Sequence, residues 1–328
     1  MSQGFVYAIS VAVTFGIQLT GFAVAYLLQT ETFYDILGGL NYLALAVWSA
    51  SGQKSDLQFH DDPRKIAMTA VFVCSRSWLL LFLAWRAHER KGDSRFDEVK
   101  DKFFSFLVYW IVQGLWVMLI SMPLVFVNSS SVLKTELSPL DFIAIIGFGL
   151  GVFTEVISDI QKALWVKAGR NGGFCTVGLW AFSRHPNYFG EILQWWCAWI
   201  FAYSSSEVSG GGVVDPLWWG CIVSPLFTMH ILLNIPGTGI THAEGKNLKR
   251  YYDKFPSEYS EYRSNTSVLI PFIGYRHVPS FLKRTIFLDF ERYEYKPRDD
   301  KTPSVDAKKA MLSTSQTELL DNTVVPVV

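Results

Sequence analysis

The chain has 328 residues, of which 50% are hydrophobic and 16% aromatic, and its formal net charge is zero. Neutral charge gives no reason to expect a nucleic-acid partner. Length alone would allow one large or two ordinary soluble domains. The apolar residues, however, cluster into runs about 20 residues long, enough to cross a bilayer core as helix, which disfavours a soluble helical protein. We therefore expect an all-α, polytopic membrane helix bundle in a lipid bilayer.

Seven runs are predicted to be transmembrane helices, and they cover residues 4–28, 33–51, 66–85, 103–127, 139–158, 187–203 and 217–235. A secretory signal peptide is not expected, since the first run lacks a basic leader and an obvious small-residue cleavage site. Four cysteines lie in or beside these runs without metal-ligand spacing, so no metal site is predicted and they are expected to be small buried hydrophobes. They are Cys74, Cys175, Cys197 and Cys221.

The basic residues of the loops predict the orientation. Segments 86–102 and 159–186 are rich in Lys and Arg, whereas segments 1–34 and 204–216 have neither. Under the positive-inside rule the C-terminus is cytosolic and the N-terminus lies on the opposite side of the membrane. The membrane itself is expected to be the endoplasmic reticulum or another internal membrane. The loop 52–65 fits less well, because it holds three basic residues on the predicted outer side.

Two glycosylation sequons follow from this orientation. Asn128-Ser129-Ser130 lies on the predicted outer side and could be glycosylated, whereas Asn265-Thr266-Ser267 lies inside and should not be.

Beyond about Pro236 the sequence becomes charged and tyrosine-rich. The stretch "THAEGKNLKRYYDKFPSEYSEYR" predicts a cytosolic interfacial helix, with Tyr259 and Tyr262 as interfacial anchors. From about Pro297 the residues are polar, and no structure is assigned to them. The expected domains are N-terminal transmembrane helices (1–64), a membrane domain with a cytosolic cofactor site (65–275) and a polar, partly disordered tail (276–328).

The segment "GLWAFSRHPNYFGEILQWW" (178–196) places polar residues at the N-terminal end of a hydrophobic helix. Pro186 marks the helix N-terminus. Such an end offers unpaired N–H groups and a positive dipole end, and Arg184 adds a donor fork suited to phosphate. The alternative is a snorkelling helix end in which Arg184 binds a lipid phosphate.

One face of this helix is polar: it combines Asn187, Gly190, Glu191 and Gln194. The glycine would let another group approach the backbone closely. An ionisable residue one turn inside a span is a functional candidate by default, which singles out Glu191.

Other polar groups could converge on this face. Glu155 and Asp159 lie four residues apart, with Lys162 three residues on, although an intrahelical Asp–Lys pair is the simpler reading. Arg76 lies deep in the third run, so an acid or a ligand anion must meet it. Asp35 is a candidate acid, or merely a helix N-cap.

Five stretches together resemble the steroid 5-alpha-reductase C-terminal superfamily, most nearly its DUF1295-type integral membrane proteins. They are "DILGGL", "RAHERKGDSRFDEVK", "LWVKAGRNGGFCTVGLW", "LWAFSRHPNYFGEILQWW" and "AEGKNLKRYYDKFPSEYSEYRSNTSVLIPF". The resemblance implies an NADPH-dependent oxidoreductase that reduces a carbon–carbon double bond of a lipid, whether sterol-like, isoprenoid or acyl. Two departures, Val73 in place of a tyrosine and Glu244 in place of a histidine, argue against 3-ketosteroid reduction.

The resemblance also implies site residues. Glu191 is expected to be the catalytic acid, with Tyr188 in reserve. The expected cofactor-binding residues are Arg76, Asp159, Lys162, Arg184, His185, Asn187, Gly190, Glu244, Arg250, Tyr251 and Tyr252.

A competing class is a membrane S-adenosylmethionine-dependent methyltransferase of the isoprenylcysteine or phospholipid type. Such enzymes share an RHPxY segment followed by a glutamate-containing C-terminal helix. The Asn-x-x-Gly-Glu continuation at 187–191 favours the reductase. A third possibility is a non-enzymatic scaffold or lipid-binding protein, and the sequence indicates no particular oligomeric state.

Overall fold

A computed structural model of the protein describes residues 2–51, 59–90, 96–131, 136–206, 214–235 and 239–293, the side chains of 90, 171, 172 and 241–247 excepted. The α-helices in this part of the chain are α1 (Gln3–Leu28), α2 (Tyr34–Ser51), α3 (Pro63–Arg90), α4 (Phe103–Ser129), α5 (Pro139–Lys167), α6 (Pro186–Ala202), α7 (Pro216–Gly220), α8 (Val223–Asn234), α9 (Ile240–Lys254), α10 (Pro256–Asn265) and α11 (Ser280–Thr285). The predicted all-α helix bundle is confirmed.

Five helical stretches of the described residues are long and apolar enough to cross a membrane. They are Gln3–Leu28, Pro63–Glu89, Phe103–Ser129, Pro139–Lys167 and Pro216–Asn234, of which the last joins α7 and α8. The remaining two predicted spans form α2 and α6, which have 18 and 17 residues. Both carry buried polar residues on their inner faces, as expected of helices that pack inside a bundle.

The start of α3 is tied to the start of α5 by a buried ion pair. Ser138 and Asp141 form a capping box at the N-terminus of α5, and Pro139 occupies its first turn. The Asp141 carboxylate also accepts a hydrogen bond from Arg64, at 2.9 Å between Nη2 and Oδ2. Arg64 and Lys65 are each only 2% exposed. These two basic residues therefore belong to the packed protein, which explains why the loop 52–65 fits the positive-inside rule poorly.

Helices α5 and α6 pack backbone to backbone. A Cβ built on Gly190 would lie 2.5 Å from the Gly151 carbonyl oxygen and 2.7 Å from the Glu155 nitrogen. The close approach that Gly190 permits is thus made by α5. The sequence predicts a close approach at this glycine but not the group that makes it.

Helices α1, α2 and α4 enclose an amide cluster, which we define as Thr14, Gln18, Asn41 and Gln113. Gln18 Nε2 donates to Asn41 Oδ1 at 3.0 Å, and Gln113 Nε2 donates to the Tyr34 carbonyl at 3.2 Å. Thr14 Oγ1, Gln18 Oε1, Asn41 Nδ2 and Gln113 Oε1 have no hydrogen-bond partner in the described part of the chain.

The sequon asparagine Asn128 lies inside the bundle. Its side-chain nitrogen donates to Ser49 Oγ at 2.9 Å and to Thr69 Oγ1 at 3.1 Å, and the residue is fully buried. A glycan on this nitrogen is incompatible with the packed fold, so the expectation that Asn128 could be glycosylated is wrong for the folded protein.

The C-terminal tyrosines pack on Phe174 of the loop before α6. The ring centroids of Tyr259 and Tyr262 lie 4.9 and 5.2 Å from that of Phe174. Tyr259 is only 4% exposed, and the Tyr262 hydroxyl donates to the Trp180 carbonyl at 2.6 Å. The expectation that Tyr259 anchors the chain at the membrane interface is therefore wrong, because its ring is buried against this loop. Tyr262 is partly exposed, and its role as an interfacial anchor stays a prediction.

The cysteine expectation is confirmed for Cys175, Cys197 and Cys221, which are buried, whereas Cys74 is exposed. Burial raises the pKa of the Cys175 thiol. The chain forms two units, Met1–Phe290 and Glu291–Val328. The domain limits at residues 64 and 275 stay predictions, and the tail from Pro297 lies outside the described residues.

Candidate functional site

A buried ion pair joins α3 to α6. Arg76 donates from Nη1 and Nη2 to the two carboxylate oxygens of Glu191, each at 3.1 Å. Arg76 is only 1% exposed, and its guanidinium lies 4.7 Å from the centroid of the Trp195 ring. Trp195 Nε1 in turn donates to Glu191 Oε1 at 2.8 Å. The acid that Arg76 requires is therefore Glu191, whereas Asp35 lies in the first turn of α2.

The ion pair continues into a hydrogen-bonded chain that reaches α5. Arg76 Nη2 donates to Ser75 Oγ at 2.9 Å, and Ser75 Oγ donates to Gln194 Oε1 at 2.5 Å. Gln194 Nε2 donates to Glu155 Oε2 at 2.6 Å. The carboxyl groups of Glu155 and Glu191 lie within hydrogen-bonding reach of each other. We call Ser75, Arg76, Glu155, Glu191 and Gln194 the charged cluster.

Asn187 and Asp159 meet at the start of α6. Asn187 Nδ2 donates to Asp159 Oδ1 at 3.2 Å, and the Asn187 Oδ1 atom is buried with no hydrogen-bond partner among the described residues. Arg86 at the end of α3 interacts electrostatically with the Asp159 carboxylate. This pair therefore adds a third carboxyl group close to the charged cluster, together with an acceptor oxygen that a ligand donor could satisfy.

The Ser183-Arg184-His185 segment is held by the chain that follows α10. The backbone nitrogens of Arg184 and His185 donate to the carbonyls of Ser267 and Val268, each at 2.9 Å. The Ser183 hydroxyl donates to the Leu269 carbonyl at 2.6 Å. These bonds fix the segment immediately before the N-terminus of α6.

The Arg184 side chain meets a carboxylate from the C-terminal part of the chain. Its Nη2 atom lies 2.5 Å from Asp289 Oδ2, which also accepts a hydrogen bond from the Tyr275 hydroxyl at 2.7 Å. Burial, together with the neighbouring Asp289 carboxylate, raises the pKa of Tyr275. Arg284 donates to the Asp289 carbonyl. The anion nearest the Arg184 guanidinium is thus part of the protein.

The other predicted residues lie around this core. The His185 and Tyr188 rings stack at 5.2 Å between centroids, and Lys162 Nζ lies 4.0 Å from the centroid of the Trp180 ring. Arg250 stacks on Tyr251 at 5.0 Å.

The α9 tyrosines belong to the aromatic cluster around Phe174. Tyr251 and Tyr252 lie 5.0 and 5.2 Å from Tyr259 between ring centroids. The contacts of the described side chains do not join these two tyrosines to the charged cluster, and the Glu244 side chain lies outside the described residues.

Two groups in this region, Ser75 and Asp289, are not predicted from the sequence. Ser75 precedes Arg76 in an apolar run and gives no signal of its own. Asp289 lies in a stretch that was expected to be tail, so only its place among apolar residues in "IFLDF" could have indicated burial.

Comparisons with known proteins identify one match. A family model described as "Protein of unknown function (DUF1295)" matches residues 21–266, which is most of the chain. No curated protein and no solved structure matches the chain.

Proposed function

The chain belongs to the DUF1295 family, and on that premise we propose that it is a membrane-embedded, NADPH-dependent oxidoreductase that reduces a carbon–carbon double bond of a lipid. The observation that carries the proposal is the charged cluster, an ion pair and a second glutamate sealed among apolar helices. Ionisable residues inside a membrane bundle are costly, so their presence here favours a chemical role over a purely structural one. The resemblance described above supplies the reaction class.

The residues present fit a nicotinamide cofactor at one specific point. The buried Asn187 Oδ1 acceptor has no partner among the described residues, and a carboxamide N–H is a donor of the kind that would satisfy it. Basic side chains that could also meet phosphate groups lie at the same end of the bundle, since Arg86 lies in the last two turns of α3 and Lys162 in the last two turns of α5. When bound, NADPH would supply a hydride.

The surroundings of the charged cluster suit an apolar substrate. A crevice of about 10 Å³ between α3, α5 and α6 is lined by apolar side chains, including Met68, Phe148 and Phe201, so a lipid would enter here only where these helices move apart. Phe148 also packs edge-on against Trp195, at 6.1 Å between ring centroids, which links the crevice to the charged cluster. Apolar walls exclude water from the reacting groups, as a reductase requires.

The chain's own residues would divide the remaining work. Asn187 and Asp159 would orient the cofactor. Arg76 would fix the Glu191 carboxylate, and Tyr188, with its phenol beside His185, is a second candidate proton donor. Both oxygens of Glu191 accept hydrogen bonds from Arg76 and Trp195, as a carboxylate does, so Glu191 would have to take up a proton before it could pass one to the substrate.

We place the protein in the endoplasmic reticulum or another internal membrane with its C-terminus in the cytosol. Cytosolic NADPH would then reach Asn187 from the side on which α6 begins.

Thermal unfolding of the detergent-purified protein with NADPH, with S-adenosylmethionine and with neither tests the proposal. Ligand at about 100 times its Kd stabilises a protein by about 2.7 kcal/mol, so NADPH should raise the melting temperature clearly. Asn187→Ala should reduce this shift. Asn265→Ala, the same change at an exposed asparagine, should leave it intact.

Two outcomes would contradict the reductase. Stabilisation by S-adenosylmethionine alone would indicate a membrane methyltransferase. Stabilisation by neither compound would indicate a non-enzymatic scaffold or lipid-binding role. If NADPH raised the melting temperature equally in the wild type and in Asn187→Ala, the protein would bind NADPH, but the assignment of Asn187 to the binding site would be rejected.

A further inference from the structure

The numbers of donor hydrogens and acceptor lone pairs determine the direction of the hydrogen bonds that join Arg76, Ser75 and Gln194. An arginine side chain only donates, whereas a serine hydroxyl has one proton and two acceptor lone pairs. Arg76 donates to Ser75 Oγ twice, from Nε at 3.3 Å and from Nη2 at 2.9 Å. Both lone pairs of Ser75 are thereby used. Its single proton must therefore point to Gln194 Oε1, 2.5 Å away.

The orientation of the Gln194 amide follows from Ser75. Because Oε1 accepts the serine proton, the NH₂ group of Gln194 faces the opposite way. One of its N–H groups meets Glu155 Oε2 at 2.6 Å, and the other meets the Gly190 carbonyl at 3.2 Å. The chain therefore runs in one direction, from Arg76 through Ser75 and Gln194 to Glu155. A flipped amide would place its NH₂ group against the Ser75 hydroxyl, whose lone pairs are already used, and its oxygen against the Gly190 carbonyl oxygen.

This direction decides which oxygen of Glu155 accepts. Oε2 receives the Gln194 N–H and behaves as a carbonyl oxygen, which leaves Oε1 to carry a proton if the carboxyl group has one. Glu191 can receive that proton as a hydrogen bond. Among the described residues its Oε1 accepts from Arg76 and Trp195, whereas its Oε2 accepts only from Arg76. A carboxylate oxygen has two acceptor sites, so one site on Glu191 Oε2 is left.

The charges facing Glu155 make a proton necessary. Arg76 comes from α3, Glu191 from α6 and Asp159 from the same helix as Glu155, while Tyr42 of α2 contributes a hydroxyl beside Arg76. In the described part of the chain two guanidinium groups, those of Arg76 and Arg86, face these three carboxyl groups, so one negative charge is in excess unless a proton is held. Two carboxyl groups within hydrogen-bonding reach can form a bond only if one of them keeps a proton.

We infer that the Glu155–Glu191 pair stores one proton on Glu155, and that Ser75 and Gln194 are positioning residues that hold it there. The stored proton is a property of the protein alone. Its use as the proton source of a reduction rests on the proposed function. In that reaction NADPH would supply a hydride to one carbon of the double bond. The Glu155 O–H bond breaks with its electron pair staying on Glu155, the proton passes by way of Glu191 to the other carbon, where the π electrons form the new C–H bond, and a proton from solvent afterwards returns to Glu155.

Infrared spectroscopy of the purified full-length protein, without any cofactor, tests the stored proton. We expect a carbonyl stretch of a protonated carboxylic acid that persists at neutral pH and moves when the protein is labelled with [13C]glutamate. Glu155→Gln should abolish the band. Glu261→Gln, at an exposed glutamate, should leave it unchanged.

The position of the same infrared band tests the role of the positioning residues Ser75 and Gln194. Ser75→Ala and Gln194→Met should each shift the band, whereas Ser75→Thr, which keeps the hydroxyl, should restore the wild-type position. If Ser75 had only a structural role, the band would lie at the same position in Ser75→Ala and in Ser75→Thr. A wild-type spectrum without a glutamate-dependent band overturns the inference even if no variant folds. A band that survives Glu155→Gln, or that neither Ser75→Ala nor Gln194→Met moves, overturns it as well.

The two proposals fail separately. Absence of NADPH binding would reject the reductase and leave the infrared result standing. An absent carboxylic acid band would reject the stored proton while NADPH could still bind at Asn187.

Discussion

The charged cluster and the amide cluster lie in the same helix bundle but differ in how completely their polar atoms are paired. Between α3, α5 and α6, each guanidinium nitrogen of Arg76 has an acceptor. Between α1, α2 and α4, Gln18 and Asn41 share one hydrogen bond, and each keeps a buried atom without a partner in the described part of the chain. An unpaired buried charge costs several kcal/mol, whereas an unpaired neutral group costs about 1–3 kcal/mol. The charged cluster should therefore tolerate substitution poorly, and the amide cluster should tolerate it well.

Arg76→Met should have the largest effect. It leaves Glu191 buried without its partner, and breaking a buried pair in this way costs about 3–5 kcal/mol of unfolding free energy. Thermal unfolding in detergent measures the loss. The double variant Arg76→Met/Glu191→Met removes both charges and should recover most of the stability. Equal losses in the single and double variants would show that the pair itself is not what the bundle depends on.

Gly190→Ala should come next, because the charged cluster forms only where α5 and α6 touch. The added methyl group would meet the Gly151 carbonyl and the Glu155 backbone, and such overpacking costs about 1–3 kcal/mol. Gly149→Ala is the matched control on α5, since nothing lies within 4 Å of its added Cβ. The control should be neutral or slightly stabilising. If both variants melted alike, the close helix crossing would have to be abandoned.

Asp289→Asn tests an ion pair outside the bundle interior and should cost about 1.5 kcal/mol, the value of a hydrogen bond to a charged group. Arg184 would lose its ionic partner, and the 270–290 segment should become more sensitive to limited proteolysis. Asp253→Asn, at an exposed position of α9, serves as the control. Unchanged protease sensitivity in Asp289→Asn would mean that other contacts hold this segment.

The double variant Gln18→Leu/Asn41→Leu should have the smallest effect, within about 1 kcal/mol of the wild type. Interhelical hydrogen bonds in membrane proteins average about 0.6 kcal/mol, and the substitution also removes two unpaired atoms. The same melting experiment measures it, with the two single variants as controls. A loss as large as that of Arg76→Met would erase the distinction between the two clusters.

The sequence predicts the parts of this molecule that depend on local pattern. Apolar runs give the helices, Pro186 marks the start of α6, and a charge inside an apolar run singles out Arg76 and Glu191. It does not predict partners that are distant along the chain. The choice of Glu191 over Asp35 for Arg76, and of Asp289 for Arg184, depends on which helices and loops meet, and residue periodicity carries no information about that.

Asn128 has a consequence for how this protein could be monitored. Its amide nitrogen is fully buried and bonded to Ser49 and Thr69, so a sugar attached during synthesis would keep α4 from packing against α2 and α3. With the end of α4 on the lumenal side, as the positive-inside rule predicts, any glycosylated chain would be one that failed to assemble. The slower-migrating band on a gel would then count misfolded molecules, and this sequon would serve as a built-in reporter of quality control.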